Sequence, residues 1–345
     1  MSRSRSRIER HIEQLWYGDS VLAVLLVPFS WVYRLVIAIR RTGYRLGWLR
    51  SVLCSAPIIV VGNVTVGGSG KTPIVAWLVQ HLSATGLRPG IVSRGYGGSA
   101  GPDPVLVGMD SRVEEVGDEP LLLARRTCVP VCVCADRVAA VEHLLRETDV
   151  NVIVTDDGLQ HYRLQRDLEF IVIDGSRGFG NGWMLPAGPL REPASRLSQA
   201  DLIFCNGQAR DIAGHIFELM PGKMRALTGT GEKELSEFRG KIVWAVAGIG
   251  NPDRFYALLA QYGIHFVPVA VVDHGSVDLD QLVATNDRPI LMTEKDSVKY
   301  PQTTVNDAWY VPVDVRMSNE AELIVNQKIA EIKSAVLRRI NTESA

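Results

Sequence analysis

From residue 57 onward, short apolar runs alternate with stretches of helical spacing. Ile58-Ile59-Val60-Val61 is an unbroken aliphatic run ending at Gly62, the pattern of a parallel strand covered on both faces. Ile74 to Leu82 then reads as a helix, Arg88 to Ser93 and Pro130 to Cys134 as strands, and Arg137 to Thr148 as a helix. Val150 to Thr155, Leu168 to Ile173 and Leu202 to Cys205 are further strands. This alternation predicts an α/β fold with a mostly parallel, doubly wound sheet and helices on both faces. Residues 228 to 240 are polar and Gly-rich, as a linker is. Beyond them, strands at Ile242 to Ala247, Phe266 to Val272 and Ile290 to Met292, a helix at Pro252 to Tyr262 and a closing helix at Glu320 to Ile340 predict a smaller α/β subdomain. The expected division is therefore an N-terminal segment at 1–50, a core at 51–235 and the smaller subdomain at 236–345.

The first fifty residues follow a different pattern. Val21 to Ile39 is almost wholly apolar, broken by Pro28, Ser30 and Arg34 and flanked by Arg3, Arg5 and Arg7 before and Arg40, Arg41, Arg45 and Arg50 after. A signal peptide would continue into a small-residue cleavage site, where this run meets arginines. Pro28 and Arg34 argue against a bilayer-spanning helix. Trp16, Phe29, Trp31, Tyr33 and Trp48 suit headgroup depth, so an interfacial membrane-associated helix is expected. The competing reading is a helix packed on the core.

Composition narrows the function classes. The chain has 345 residues, 46% hydrophobic and 22% charged, with a net charge of -1. At about 150 residues per domain this length holds roughly two cores. Balanced charge gives no reason to expect a nucleic-acid partner, and nothing calls for a protein partner. The five cysteines are odd in number and scattered, unlike a secreted disulfide framework. Cys132 and Cys134 alternate with valines, as in a buried strand.

The sharpest local signal lies between the first strand and the first core helix: Thr65-Val66-Gly67-Gly68-Ser69-Gly70-Lys71-Thr72. Backbone N–H groups of such a loop, together with the helix N-terminus, cradle phosphates. Lys71 is expected on the β- and γ-phosphates of ATP and the Thr72 hydroxyl on Mg²⁺. Thr65 stands where the general motif has glycine. The core is thus expected to be P-loop NTPase-like, although a phosphate loop alone does not separate a kinase from a nucleotide switch.

Asp156 and Asp157 end an apolar strand, the position from which acids help hold Mg²⁺; turn-forming aspartates before Gly158 are the plainer alternative. Gln160 and His161 follow immediately, a density of donors suited to phosphotransfer. Arg94, in Ser93-Arg94-Gly95-Tyr96-Gly97, follows a strand and should face the nucleotide crevice. Asp118, in Gly117-Asp118-Glu119-Pro120, reads locally as a helix cap.

Taken in order, these motifs resemble the bacterial tetraacyldisaccharide 4'-kinase family across almost the whole chain. The resemblance also includes Pro186-Ala187-Gly188-Pro189-Leu190-Arg191-Glu192-Pro193, Gly248-Ile249-Gly250-Asn251-Pro252, Asp273-His274 and Thr293-Glu294-Lys295-Asp296. It implies transfer of the ATP γ-phosphate to the 4'-hydroxyl of an acylated disaccharide lipid at the cytoplasmic face of the bacterial inner membrane. It implies Asp118 as general base with His274 as its partner, displacing the capping reading. Arg94, Gln160 and His161 would join the phosphate loop around the nucleotide, with Asp156 and Asp157 at the metal. Arg191 and Glu192 would bind the acceptor or simply form a salt bridge.

Overall fold

In the computed structural model, the structure describes residues 7–18, 21–99, 101–209, 212–269, 271 and 275–343. It contains the mixed but mostly parallel architecture expected from the sequence. The larger sheet uses β1 (Ile58–Gly62), β2 (Pro89–Ser93), β3 (Val105–Leu106), β4 (Val131–Val133), β5 (Val152–Asp156), β6 (Leu168–Asp174), β7 (Leu202–Asn206) and β8 (His215–Pro221). Its order is β8-β7-β6-β1-β5-β2-β4-β3, with Val313–Met317 added outside β8. Neighbours from β8 through to β4 run parallel, and the short β3 pairs antiparallel with β4. Every residue of β1, β5 and β6 is buried, which is why these strands read as continuous apolar runs. β1 lies in the middle, paired with β5 through Val61 and Asp156. The phosphate loop and the first acid therefore emerge side by side from one sheet edge.

A smaller sheet contains β9 (Met224–Ala226), β10 (Glu232–Lys233), β11 (Ile242–Val246), β12 (His265–Val269), β13 (Ile290–Thr293) and β14 (Ala308–Val311) in the order β10-β9-β14-β13-β11-β12. Met224, Phe238, Val243, Leu259 and Leu291 belong to its own buried core. The last strand, β15, is the Val313–Met317 segment of the larger sheet.

The chain forms two compact units, one of residues 1–10 and 219–314, the other of residues 11–218 and 315–345. The division after residue 218 falls earlier than the linker composition at 228–240 suggests, because β9, ahead of that polar stretch, and β10, within it, already pair in the smaller sheet. The closing helix, Asn319–Glu343, was expected in the smaller subdomain and belongs to the larger unit. Its stripe of Ala321, Val325, Ile329, Ile332 and Val336 is buried. Arg339 bonds the Cys54 carbonyl at 3.2 Å and Asp167 at 2.6 Å, and His81 meets Asn326 at 2.6 Å. The sequence showed a closing helix without showing which surface receives it.

The N-terminal helices are α1 (Arg7–Tyr17) and α2 (Leu22–Arg45). α2 is long and apolar enough to cross a membrane by length and composition, with a mean hydropathy of 2.1 in its most apolar window. Nevertheless one face is docked. Ser30 donates to the Met184 carbonyl at 2.8 Å and accepts from the Ala187 N–H at 3.0 Å, and Tyr33 donates to the Arg191 carbonyl at 3.2 Å. Val24, Leu25, Phe29, Val32, Leu35, Val36 and Ile39 remain exposed. One face of the helix thus packs on the core, as the competing reading had it, and its apolar remainder is uncovered.

Candidate active site

Helix α3 (Lys71–Ala84) begins where the phosphate loop ends, with Gly70 as its N-cap at φ 95°. That left-handed backbone excludes most side chains, and a Cβ there would also lie 2.7 Å from the Asn206 amide nitrogen. Asn206 itself donates to the Ser69 carbonyl at 3.3 Å. Val66 donates its N–H to Pro189, and Thr65 bridges Leu190 in antiparallel fashion. Thr65 sits in this paired segment at a negative φ, so no glycine is required there. Between Gly67 and Gly70 no backbone N–H has a partner among the described residues. A row of unbonded donors at a helix N-terminus fits the phosphates of a nucleotide.

The two acids have opposite environments. Asp156 is buried at the end of β5, and neither carboxylate oxygen has a hydrogen-bond partner. Burial, then repulsion from Glu119, raises its pKa to about 7 against the opposing pull of Lys71. Asp157 has φ 54° and turns toward cations. Lys71 Nζ lies 3.5 Å from its Oδ1, and Arg191 donates to its Oδ2 at 2.8 Å. Burial would raise the Asp157 pKa, but Lys71 and Arg191 outweigh it and hold it at about 2.

An orphaned buried carboxylate is costly without a cation, so Asp156 fits a divalent ion. Among the described residues no three His, Cys, Asp or Glu side chains converge on a ready-made metal site. That suits Mg²⁺, which keeps water and substrate phosphate oxygens in its shell.

Glu119 and Asp118 open α5 (Asp118–Thr127), numbered after the one-turn α4 (Val113–Val116). Asp118 is buried and accepts the Glu119 N–H at 2.9 Å. The N-cap is Gly117 at φ 87°, where a Cβ would come within 2.5 Å of the Tyr96 carbonyl. This close approach brings the Ser93–Gly97 loop against the Gly117-Asp118-Glu119 turn. Arg94 is exposed on that loop, near enough to depress the pKa of the buried Arg137 after burial itself. His274 lies outside the described residues.

Gln160 and His161 do not present themselves to the loop in the same way. Gln160 donates to the Asn63 carbonyl and to Glu192, both at 3.1 Å, bracing the strand end from which the loop departs. His161 faces Asp136 at 3.9 Å. Its pKa is lowered to about 4 by burial and then by Arg137, so the ring is neutral.

Sequence reasoning missed two contributors and left the place of a third, Glu192, open. Glu119 sits beside Asp156, and Arg137 lies behind the acid pair. Buried Glu192 accepts Gln160 and Tyr162, the latter at 2.5 Å, with Arg196 at 3.4 Å. Glu192 is therefore an internal anchor, and Arg191 is the partner of Asp157. Glu119 could have been found as the acid next to Asp118; Arg137 gave no signal separable from surface charge.

Comparison with known proteins agrees with the geometry. The family model of LpxK, tetraacyldisaccharide-1-P 4'-kinase, matches residues 22–330. The tetraacyldisaccharide 4'-kinase of Alkalilimnicola ehrlichii is 47% identical, covering 91% of this chain and 94% of its own length. That of Methylobacillus flagellatus is 45% identical, with 89% and 92% covered. The crystal structure of LpxK from Aquifex aeolicus in complex with ATP matches with a TM-score of 0.74 at 27% identity, covering 90% of this chain and 99% of that one. With a phosphate loop, an orphaned acid beside it and relatives aligned over nearly their full lengths, the chain belongs to the tetraacyldisaccharide-1-P 4'-kinase family.

Proposed function

We propose that this protein transfers the γ-phosphoryl group of ATP to the 4'-hydroxyl of tetraacyldisaccharide 1-phosphate. The observation that carries the reading is the run of unbonded N–H donors leading into Lys71 and Thr72, beside the unpartnered carboxylate of Asp156. Family membership supplies the acceptor.

Each chain residue then has a physical task. The Gly67–Gly70 backbone binds phosphate oxygens, and Lys71, oriented by Asp157, neutralises charge on the transferring group. Asp156, with Glu119 beside it, is the carboxylate that would hold Mg²⁺, and the Thr72 hydroxyl is its expected companion from the loop motif; Asp157 stays committed to cations and orients Lys71. Mg²⁺, when bound, supplies charge neutralisation on the phosphate oxygens. Asp118 takes the proton of the 4'-hydroxyl as the new O–P bond forms, the bond to the β-phosphate oxygen breaks and ADP leaves. His274 is assigned as its supporting group on the motif alone. Arg94 is a clamp for a phosphate, and His161, being neutral, contributes no charge.

The exposed face of α2 is assigned to the membrane surface, on the cytoplasmic side where ATP is available. An acceptor with four acyl chains leaves a bilayer only at about 0.8 kcal/mol per exposed CH₂, so the enzyme goes to it. A helix docked along one face lies on the surface, since spanning would strip it from Met184, Ala187 and Arg191.

The test is label transfer from γ-labelled ATP to tetraacyldisaccharide 1-phosphate in detergent micelles, wild type against Asp118→Ala. Label is expected in the lipid. The variant should keep ATP binding and lose about 10²- to 10⁴-fold in turnover. ATP binding without lipid labelling by wild type would sink the acceptor assignment.

A further inference from the structure

A cleft of about 520 Å³ opens between α2 and the 181–195 segment, lined by Ser30, Trp31, Arg34, Asn181, Trp183 and Ser195 among others. Ser30, Tyr33 and Ile37 form the docked face of α2. Trp31 and Arg34 follow at the edge of that face, between the packed side and the exposed apolar side.

Arg34 differs from the other arginines nearby. Arg40 stands over the Tyr162 ring, Arg41 donates to Gln199 at 2.8 Å and Arg191 is held by Asp157. Arg34 has no hydrogen bond or ion pair among the described residues. Its exposed neighbours Val32, Leu35 and Val36 are apolar. A guanidinium set in a face that meets lipid is costly unless an anion pairs with it, and a phosphate matches its paired donors.

The cleft is also tied to the phosphate loop. Leu190 lines it and is the residue that bridges Thr65, so one backbone segment borders both places. Its volume suits a headgroup and part of one chain, leaving further acyl groups for the exposed side of α2.

We propose that this cleft holds the 1-phosphate end of the acylated acceptor, with Arg34 pairing with the phosphate and Trp31 and Trp183 flanking the chain beside it. The assignment rests on the lipid-kinase reading above.

The experiment compares acceptor with and without its 1-phosphate, in neutral-detergent micelles, for wild type, Arg34→Ala, Arg34→Lys and the cleft-filling Ala194→Trp. Arg34→Ala should raise KM for the phosphorylated acceptor about 10- to 100-fold. Its kcat and its KM for ATP should stay near wild type, with partial rescue by Arg34→Lys. Wild type acting on the dephosphorylated acceptor should already show the raised KM, and Arg34→Ala should add nothing to it. Ala194→Trp should raise KM for both acceptors. Equal penalties for Arg34→Ala on both acceptors, or no effect of Ala194→Trp, overturn the proposal. So does a deficit that appears only on vesicles of anionic phospholipid, which would assign Arg34 to bulk lipid. Wild type using both acceptors with equal KM defeats the cleft assignment alone, whereas wild type using neither defeats the kinase reading beneath it. The wild-type comparison stands even if a variant fails to fold.

Discussion

Asp156 ends a buried strand with both oxygens unbonded, while Asp157, one residue on, adopts φ 54° and is held by Lys71 and Arg191. The pair was legible as an acidic strand end; the split between its members came from a single backbone turn. Gly70 is a comparable position, where φ 95° and the nearby Asn206 amide leave no room for a methyl group. Gly70→Ala should cost about 1–3 kcal/mol of stability and weaken ATP binding, as thermal melting and nucleotide titration would read. His161 carries a pH signature. Its folded pKa of about 4 lies below its unfolded value of about 6.5, so between these values the unfolded chain binds more protons. Stability therefore falls as pH drops from about 6.5 toward 4. In His161→Gln, melting temperature measured across that window should fall less steeply than in wild type, and parallel curves would refute the assignment.

At the scale of elements, α2 shows what an amphipathic reading contains and omits. The run from Val21 to Ile39 announced a helix with arginine flanks. Ser30 appeared there only as an interruption, yet it accepts and donates in the docked face. A small hydroxyl suits that position because it satisfies two buried backbone groups at once. Val32 lies on the opposite, exposed side. Val32→Glu should reduce co-sedimentation with phospholipid vesicles several-fold, by placing a charge where lipid is expected, while ATP binding in solution stays unchanged. The outermost strand β15 and its neighbour β8 escaped sequence reading because their residues alternate between covered and exposed, without the continuous apolar run that marks the interior strands.

For the whole molecule, the chain enters the smaller unit after residue 218 and leaves it after 314. Gly222 donates its N–H to the Pro312 carbonyl at 2.9 Å, so the two ends of this excursion meet. The unit also has its own core around Phe238, Val243 and Leu291. A fragment of residues 219–314 should accordingly fold alone, giving a cooperative thermal transition and dispersed amide resonances. A non-cooperative melt would show that the smaller unit depends on the rest of the chain.

The sequence by itself determined the alternating strands and helices, the phosphate loop between β1 and α3, the acidic end of β5 and the apolar N-terminal helix. These are local properties, set by hydrophobic period and by loop chemistry within a few residues. Tertiary structure decided which of two adjacent aspartates is left without a partner, that Glu119 and Arg137 lie near the acid pair, and that Glu192 is an internal anchor. It also decided that Asn319–Glu343 closes the larger unit. Each of these depends on groups far apart in the chain meeting at a low-dielectric site, where burial and nearby charges set the chemistry. Local pattern specifies a face or a turn, and its meeting partner is chosen only when the whole chain packs.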